Sequence, residues 1–208
     1  MEAITEVHLL GNVQIKQNGK PVSGFESRKA LALFCYLADM PQPVPRGRLA
    51  QLFWGDKSES NARANLSRVL HNNAVLIPNC VELARDVVQF KPTTNVRVDV
   101  AVFMELSGRK DIHSLTKAVA LYDDVFMADI ALNKCTEFET WLLTEQEAWR
   151  HRLSNALLLL ISAHKDNGNY IEGLQYAFRL LYFALYENRS LFSLLEFSKT
   201  TVFITTAI

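Results

Sequence analysis

The hydrophobic and polar positions of the first ninety residues change their period several times. Apolar residues alternate with polar ones over 7–10 and 13–16, and Asn18-Gly19, the strongest short hairpin signal, follows. This pattern predicts a small antiparallel sheet at the start of the chain. Further on, the stretches 81–83 and 87–90 are rich in β-branched residues and predict a second hairpin.

Between these two sheets the apolar residues recur at helical spacing in three segments. The first begins after Ser27 and stops before Pro41, and the second buries the side that carries residues 49–54. Asp56 and Glu59 have the spacing of a capping box and predict that a third helix occupies about 58–77. A sheet, three helices and a hairpin in this order form the winged-helix layout, an elaborated helix-turn-helix.

From Asp99 onward the pattern is almost entirely helical. Short helices with Asp99 or Asp111 as caps precede a long amphipathic helix over 138–164, and Asn167-Gly168-Asn169 predicts its end. Another helix is predicted over 170–186. The two helical segments around this turn resemble a tetratricopeptide (TPR) unit.

We therefore predict a mainly α fold with small β elements. An N-terminal winged helix-turn-helix domain at 1–97 precedes an all-α, TPR-like helical-hairpin domain at 98–208, with Thr93-Thr94-Asn95 as the natural boundary. The tail over 200–208 is β-branched and uncharged, which is compatible with a truncation point, a frayed end or a strand that pairs with a partner. An aromatic stripe on the last helix is either a core side or an interaction surface formed by Tyr170, Tyr176, Arg179, Tyr182 and Tyr186.

The composition is that of a folded protein that works inside the cell. Apolar residues make up 49% of the chain and charged residues 21%, which is not the profile of a disordered sequence. The three cysteines are widely separated, so we expect buried, reduced thiols and no disulfide framework. The N-terminus lacks a signal-peptide pattern and no apolar run approaches the ~20 residues of a spanning helix, so the expected location is the cytoplasm.

Charge and motifs indicate binding rather than catalysis. Residues 1–97 carry 12 Lys/Arg against 8 Asp/Glu, whereas residues 98–208 carry 10 against 14, which fits a nucleic-acid contact confined to the first half. The five histidines are scattered, and no nucleophile elbow, phosphate loop or dinucleotide glycine pattern occurs. We therefore predict no enzymatic activity, no catalytic or metal-binding residues and no cofactor.

The predicted third helix separates an apolar side from a polar side, as a helix in the major groove requires. At about 100° per residue the core-facing stripe contains Ala62, Leu66, Val69, Leu70 and Ile77. Arg68 suits a guanine, Asn72 or Asn61 suits an adenine, and Arg63 at the edge better suits a phosphate. The complete set of candidate DNA-binding residues on this helix is Asn61, Arg63, Ser67, Arg68, His71 and Asn72.

Basic residues outside this helix are candidates for supporting contacts. Arg28 and Lys29 lie at the start of the first helix, and Arg46 and Arg48 lie before the second, where helix N-termini favour phosphates. Arg85 lies at the tip of the second hairpin and is placed to enter the adjacent minor groove. With about five phosphates neutralised, we expect log K to fall against log salt with a slope of about −4 to −5.

Several segments, in order along the chain, resemble the SARP-type bacterial regulators, in which an OmpR-like winged helix precedes a bacterial transcriptional activator domain. The segments of the first half are 27–33, 44–54 and 61–68. Those of the second half are Val98-Asp99-Val100-x-x-Phe103, Leu121-Tyr122, Glu139-x-Trp141-Leu142 and Gly168-Asn169-Tyr170. The third helix has fewer arginines than that family usually carries, and the chain ends about two helices early for a full activator domain.

The resemblance implies a transcription activator that binds double-stranded DNA and forms a homodimer on a repeated site. Its helical domain is then expected to mediate self-association or to contact RNA polymerase or a sigma factor. Two alternatives stay open. The thin arginine content of 66–77 is compatible with a protein-interaction adaptor whose winged helix no longer binds DNA strongly, and the tail after Lys199 is compatible with a fragment of a larger multidomain regulator.

Overall fold

The computed structural model describes residues 4–91 and 95–183. Its first sheet contains β1 (Thr5–His8), β2 (Gln14–Gln17) and β3 (Lys20–Pro21). The predicted hairpin is confirmed and joins β2 to β3, with Gln17 opposite Lys20. Asn18 and Gly19 both have positive φ, of 49° and 75°. A two-residue turn of this kind matches the twist of the strands, which is why Asn-Gly marks it in the sequence.

The three predicted helices are present as α1 (Arg28–Asp39), α2 (Arg46–Trp54) and α3 (Glu59–Leu76). Ser27 is the N-cap of α1, and its hydroxyl accepts a hydrogen bond from the Ala30 amide at 3.1 Å. The predicted capping box of α3 is wrong. The helix begins one residue after Ser58, and the Asp56 carboxylate lies beside Lys57 at 3.2 Å instead of capping the helix.

The second sheet has the order β4-β6-β5, in which β5 (Val81–Leu83) and β6 (Val87–Phe90) form the predicted hairpin. Its third strand, β4 (Val44–Pro45), pairs with β6 and was not predicted. The β5–β6 hairpin is the wing of the predicted winged-helix layout. The proline-rich connection between α1 and α2 therefore adds a third strand to the wing. A Pro on a two-residue edge strand is tolerated because that edge needs few ladder hydrogen bonds.

The second half contains α4 (Asp99–Arg109), α5 (Ile112–Ala120) and α6 (Thr136–Asp166), followed by a helix, α7, over residues 170–183. Asp111 caps α5 as predicted and accepts from the Ser114 amide at 2.8 Å. The long helix and its break are also confirmed, with Gly168 at φ 74° just after α6. Among the described residues, no helix is both long and apolar enough to cross a membrane.

Asp99 is not the N-cap that the sequence predicts. It is the first residue of α4, and its buried carboxylate accepts from the amides of Leu9 and Leu10 at 2.8 and 2.9 Å. The strand before it, β7 (Val96–Val98), pairs in parallel with β1. This long-range pairing is absent from the local pattern, which instead indicates a domain boundary just before the strand.

Packing continues across the division predicted at 97/98. Tyr36 of α1 contacts Trp141 of α6 with ring centroids 4.5 Å apart, and Phe53 of α2 contacts Phe138 at 5.0 Å. The buried residues of both halves form one hydrophobic cluster. Residues 93–94 of the predicted boundary lie outside the described residues, and the division itself stays a prediction.

The three cysteines are buried and free, as predicted. Cys135 lies between the halves, and its thiol donates to the Phe53 carbonyl at 3.4 Å. Burial raises the pKa of the Cys80 thiol to about 11. A thiol in such surroundings stays protonated and behaves as a small apolar side chain.

Candidate nucleic-acid interface

The core side of α3 is the one that its periodicity predicts. Ala62, Leu66, Val69, Leu70 and Ile77 are all buried. Asn73 is also buried on this side, and its amide nitrogen donates to the Ala30 carbonyl at 2.9 Å, which fixes α3 against α1. With its back held by this packing, the helix presents its other side to solvent as a rigid surface.

That other side carries every residue predicted to read DNA from this helix. All six residues are exposed, and so is Val75, at 70%. Six residues with hydrogen-bonding side chains and one apolar residue are therefore exposed along about four turns of the helix. Such a side can contact base edges and the thymine methyl group. The six residues are Asn61, Arg63, Ser67, Arg68, His71 and Asn72.

An acidic residue that sequence reasoning missed contacts this surface. Glu26, immediately before the N-cap of α1, accepts from Arg68 Nη1 at 2.7 Å with each of its carboxylate oxygens. Its Oε2 also accepts from the Asn72 amide. The contact joins positions 42 and 46 residues apart, so no local pattern in the sequence signals it.

Arg46 links α2 to α3 and to the wing. Its Nη1 lies 3.4 Å from the Ser67 hydroxyl of α3, and its Nε donates to the Ala84 carbonyl in the wing at 3.2 Å. Its backbone amide donates to the Asp86 carbonyl at 2.9 Å. The start of α2, the middle of α3 and the tip of the wing are thus held together, with Arg85 exposed at that tip.

Two of the predicted phosphate-binding residues have partners away from α3. Arg48 Nη1 pairs with Glu137 of α6 at 3.3 Å, and Lys29 Nζ donates to the Phe53 carbonyl at 2.5 Å and lies 5.4 Å from the Trp54 ring. Arg28 is exposed at the first residue of α1. The structure therefore brings Arg46 and Arg85 next to α3 but gives Arg48 and Lys29 partners elsewhere.

The Arg63–Glu59 ion pair of this surface is exposed on both sides. Arg63 pairs with Glu59 one turn earlier at 2.7 Å, with 65% of the arginine side chain and 79% of the glutamate side chain exposed. Exposed pairs of this kind contribute about 0–1 kcal/mol, so a phosphate can replace the carboxylate at small cost.

Within residues 4–91 and 95–183, no group of three His, Cys, Asp or Glu is placed to hold a metal ion.

The aromatic stripe of α7 divides between core and surface. Tyr176 stacks on His164 at 5.5 Å, and Arg179 Nη2 donates to the carbonyls of Val119 and Tyr122 at 2.9 and 2.6 Å, so both residues hold α7 against α5 and α6. Tyr170 and Tyr182 are 65% and 63% exposed. Tyr186, the fifth member, lies outside the described residues.

No protein-family model matches the sequence, and no curated protein is significantly similar to it. The structure is similar to that of Mycobacterium tuberculosis EmbR in complex with a low-affinity phosphopeptide, with a TM-score of 0.60 and 16% sequence identity. The match covers 91% of this chain but 57% of the EmbR chain, so the present chain spans little more than half of that protein. The chain thus shares the fold of EmbR over 91% of its length, with an N-terminal mixed β/α region followed by long helices.

Proposed function

We propose that this chain is a sequence-specific, DNA-binding transcription regulator, acting as an activator in the cytoplasm, that lays α3 in the major groove. The observation that carries the proposal is the exposed polar side of α3, which is flanked by Arg46 and by the wing tip with Arg85. A buried apolar back, a polar front and a neighbouring hairpin with an arginine at its tip are parts that a winged helix uses on duplex DNA. The fold is similar to that of EmbR, a transcriptional regulator, and this likeness supports a role in transcription regulation.

The proposal gives each exposed residue a role that follows from its chemistry. Arg68 pairs with guanine through a bidentate contact, while Asn72 or Asn61 pairs with adenine, with Ser67 and His71 as additional base or phosphate contacts. Phosphates are bound by basic residues around the helix, and the wing enters the minor groove. The basic residues in these supporting roles are Arg28, Arg46, Arg63 and Arg85.

The experiment is a titration of a generic 30-base-pair duplex, followed by fluorescence anisotropy at low salt. We expect micromolar or tighter binding by the wild type and at least tenfold weaker binding by Arg63→Ala/Arg68→Ala. The matched control is Arg109→Ala/Lys110→Ala at the end of α4, which also removes two positive charges but lies on an element away from α3. Equal losses in both double variants would mean that only net charge matters and would contradict the role of α3.

We also propose that two copies bind together on a repeated site and that the helical half mediates self-association or contacts RNA polymerase or a sigma factor. About four or five phosphate contacts give modest affinity for one copy, and a second copy raises the effective concentration. Sedimentation of the protein on a duplex that carries two copies of a selected site tests this. A complex that stays at one protein per duplex at saturation would contradict it.

A second candidate function is a protein-interaction adaptor. Two observations favour it. Arg68 and Asn72 already donate hydrogen bonds to Glu26. The outer side of α7 also exposes large apolar side chains, with Ile171 73% exposed and Phe178 68% exposed. Exposed apolar patches of this kind often mark protein contacts. Absence of DNA binding at low salt in the wild type would favour this function over the first.

A further inference from the structure

One acidic side chain lies among the residues proposed to read bases. Glu26 accepts from Arg68 Nη1 at 2.7 Å with both of its carboxylate oxygens, and its Oε2 also accepts from the Asn72 amide. The carboxylate therefore contacts a proposed guanine reader and a proposed adenine reader at the same time. A negative charge on a DNA-contacting surface opposes binding to phosphates, so the position of this acid calls for an explanation.

The segment that carries Glu26 is anchored on both sides. Phe25 packs against Phe34 of α1 with ring centroids 6.1 Å apart, and the Ser27 hydroxyl caps the same helix. The Glu26 side chain is only 21% exposed, whereas that of Arg68 is 59% exposed. A covered acid on a fixed backbone thus meets a more exposed arginine, and the acid sets the position of the arginine.

The contact occupies one end of the Arg68 guanidinium and leaves the other end open. Both hydrogen bonds to Glu26 use Nη1, and within residues 4–91 and 95–183 neither Nε nor Nη2 of Arg68 has a hydrogen-bond partner. Arginine carries five N–H donors in one plane, and two of them suffice for O6 and N7 of guanine. Arg68 can therefore read a guanine while it stays paired with Glu26.

Glu26 also fixes which way the Asn72 amide faces. A side-chain amide has an acceptor oxygen and a donor nitrogen, and adenine is read when these meet its N6 and N7 respectively. A carboxylate attracts the nitrogen and repels the oxygen, so the Asn72 nitrogen faces Glu26 and keeps a second N–H for a base. The order of donor and acceptor is thereby set before DNA binds.

Pairing with Glu26 changes the kind of acceptor that Arg68 prefers. Attraction to phosphates depends on net positive charge, which the carboxylate cancels. Hydrogen bonding to an uncharged base edge depends instead on donors in the correct geometry, which the pair retains. A repulsive element against the wrong partner is one of the two general routes to specificity. The pair thus weakens contacts that every sequence offers and keeps those that only some sequences offer.

We propose, on the basis of the function proposed for α3, that Glu26 is a positioning residue for sequence specificity, which directs Arg68 and Asn72 to base edges and withholds them from phosphates. The acid lowers the affinity for all DNA, and most for the wrong sequence. Glu59 offers the contrast, because it pairs with Arg63, which is proposed to contact a phosphate. Loss of Glu59 is therefore expected to strengthen binding to every sequence alike.

The test begins with the selection of duplexes by the wild-type chain from a library with a randomised centre. Anisotropy then gives the affinities for the most enriched duplex and for a duplex of the same composition in shuffled order. We expect the ratio of these affinities to fall at least fivefold in Glu26→Gln, mainly because the shuffled duplex binds more tightly. In the matched control Glu59→Gln, the ratio is expected to stay within twofold of the wild type. An unchanged or higher ratio in Glu26→Gln, or an equal fall in both variants, would overturn the proposal.

A second readout separates positioning from a general change in charge. Selections with Arg68→Ala and Asn72→Ala identify the base pairs at which each side chain sets a preference. Glu26→Gln is expected to lose preference at those base pairs and to keep it at the others, and a loss spread evenly over the site would contradict the proposal. No DNA binding by the wild type at low salt would overturn the function proposed for α3 as well. A wild type that selects a site, together with a Glu26→Gln variant that keeps the same selectivity, would overturn only the role of Glu26.

Discussion

Arg68 Nη1 lies 2.7 Å from each carboxylate oxygen of Glu26, so the arginine best placed to read a base is paired with an acid from the segment before α1. The Arg68 side chain is 59% exposed and that of Glu26 is 21% exposed. The carboxylate also accepts from Asn72. Glu26 thus competes with DNA for two of the residues proposed to contact bases, and its charge repels the phosphate backbone.

Replacement of this acid is expected to strengthen DNA binding. We expect Glu26→Gln to raise the affinity for a generic duplex by about three- to tenfold at low salt, because an exposed pair is worth about 1 kcal/mol or less and one negative charge is removed. Glu105→Gln is the matched control, since Glu105 pairs with Arg109 on α4. Weaker binding by Glu26→Gln would instead mean that Glu26 holds Arg68 in its DNA-binding position.

Arg46 and Arg48 are two residues apart and are expected to behave differently on DNA. Arg46 joins Ser67 to the wing, whereas Arg48 pairs with Glu137. We expect Arg46→Ala to weaken duplex binding about five- to tenfold and Arg48→Ala to change it by less than twofold, both measured by anisotropy. Equal losses in the two variants would show that Arg48 leaves Glu137 to contact a phosphate.

Asp99 is expected to be a major determinant of stability. Its carboxylate accepts from the amides of Leu9, Leu10 and Val100, so Asp99→Ala removes the acceptor of three buried donors. We expect a loss of about 2–4 kcal/mol in the free energy of unfolding, measured by urea denaturation. The control Asp123→Ala removes an exposed acid from the segment after α5 and should lower the free energy of unfolding by less than about 0.5 kcal/mol. Similar values for the two variants would contradict the role of Asp99.

Asp39 gives the stability a dependence on pH. Burial raises its pKa to about 7, and the acids Glu145 and Asp99 act in the same direction while Arg152 lowers it. The folded state therefore holds this proton more tightly than the unfolded state, so its contribution to stability is present at low pH and is lost as pH rises from about 4 to 7.

The corresponding variant is Asp39→Asn, which cannot lose a proton. Relative to the wild type, we expect its free energy of unfolding to be about 1–2 kcal/mol higher at pH 8, allowing for partial contact of the carboxyl with water, and the difference to shrink toward pH 4. Urea denaturation at four pH values measures it, with Asp123→Asn as a control for loss of an acid. A difference that does not change with pH would contradict the raised pKa.

The elements that the sequence predicted are those specified by nearby residues. Asn18-Gly19 requires only its own backbone geometry to form the first turn, and the stripe of α3 that includes Leu66 follows from helical period alone. The failed capping box shows the limit of such rules. Asp56 and Ser58 both suit an N-cap, and the helix begins after Ser58.

The features that were missed depend on contacts between distant parts of the chain. β7 pairs with β1 across about ninety residues, β4 joins a hairpin that begins 36 positions later, and Glu26 meets Arg68 only after α1 and α3 have packed. Periodicity contains no information about such pairings. It could place Arg68 on an exposed side but could not show what lies beside it.

The most direct test of the central claim, that α3 binds duplex DNA, is the salt dependence of binding. The equilibrium constant for a generic duplex is measured by anisotropy between about 50 and 200 mM salt for the wild type and for Arg63→Ala/Arg68→Ala. We expect a slope of log K against log salt of about −4 to −5 for the wild type, and a slope smaller by about 1 for the variant, because the phosphate contact of Arg63 is lost while Arg68 is proposed to contact a base. No binding by the wild type at the lowest salt, or an identical slope for both proteins, would contradict the account.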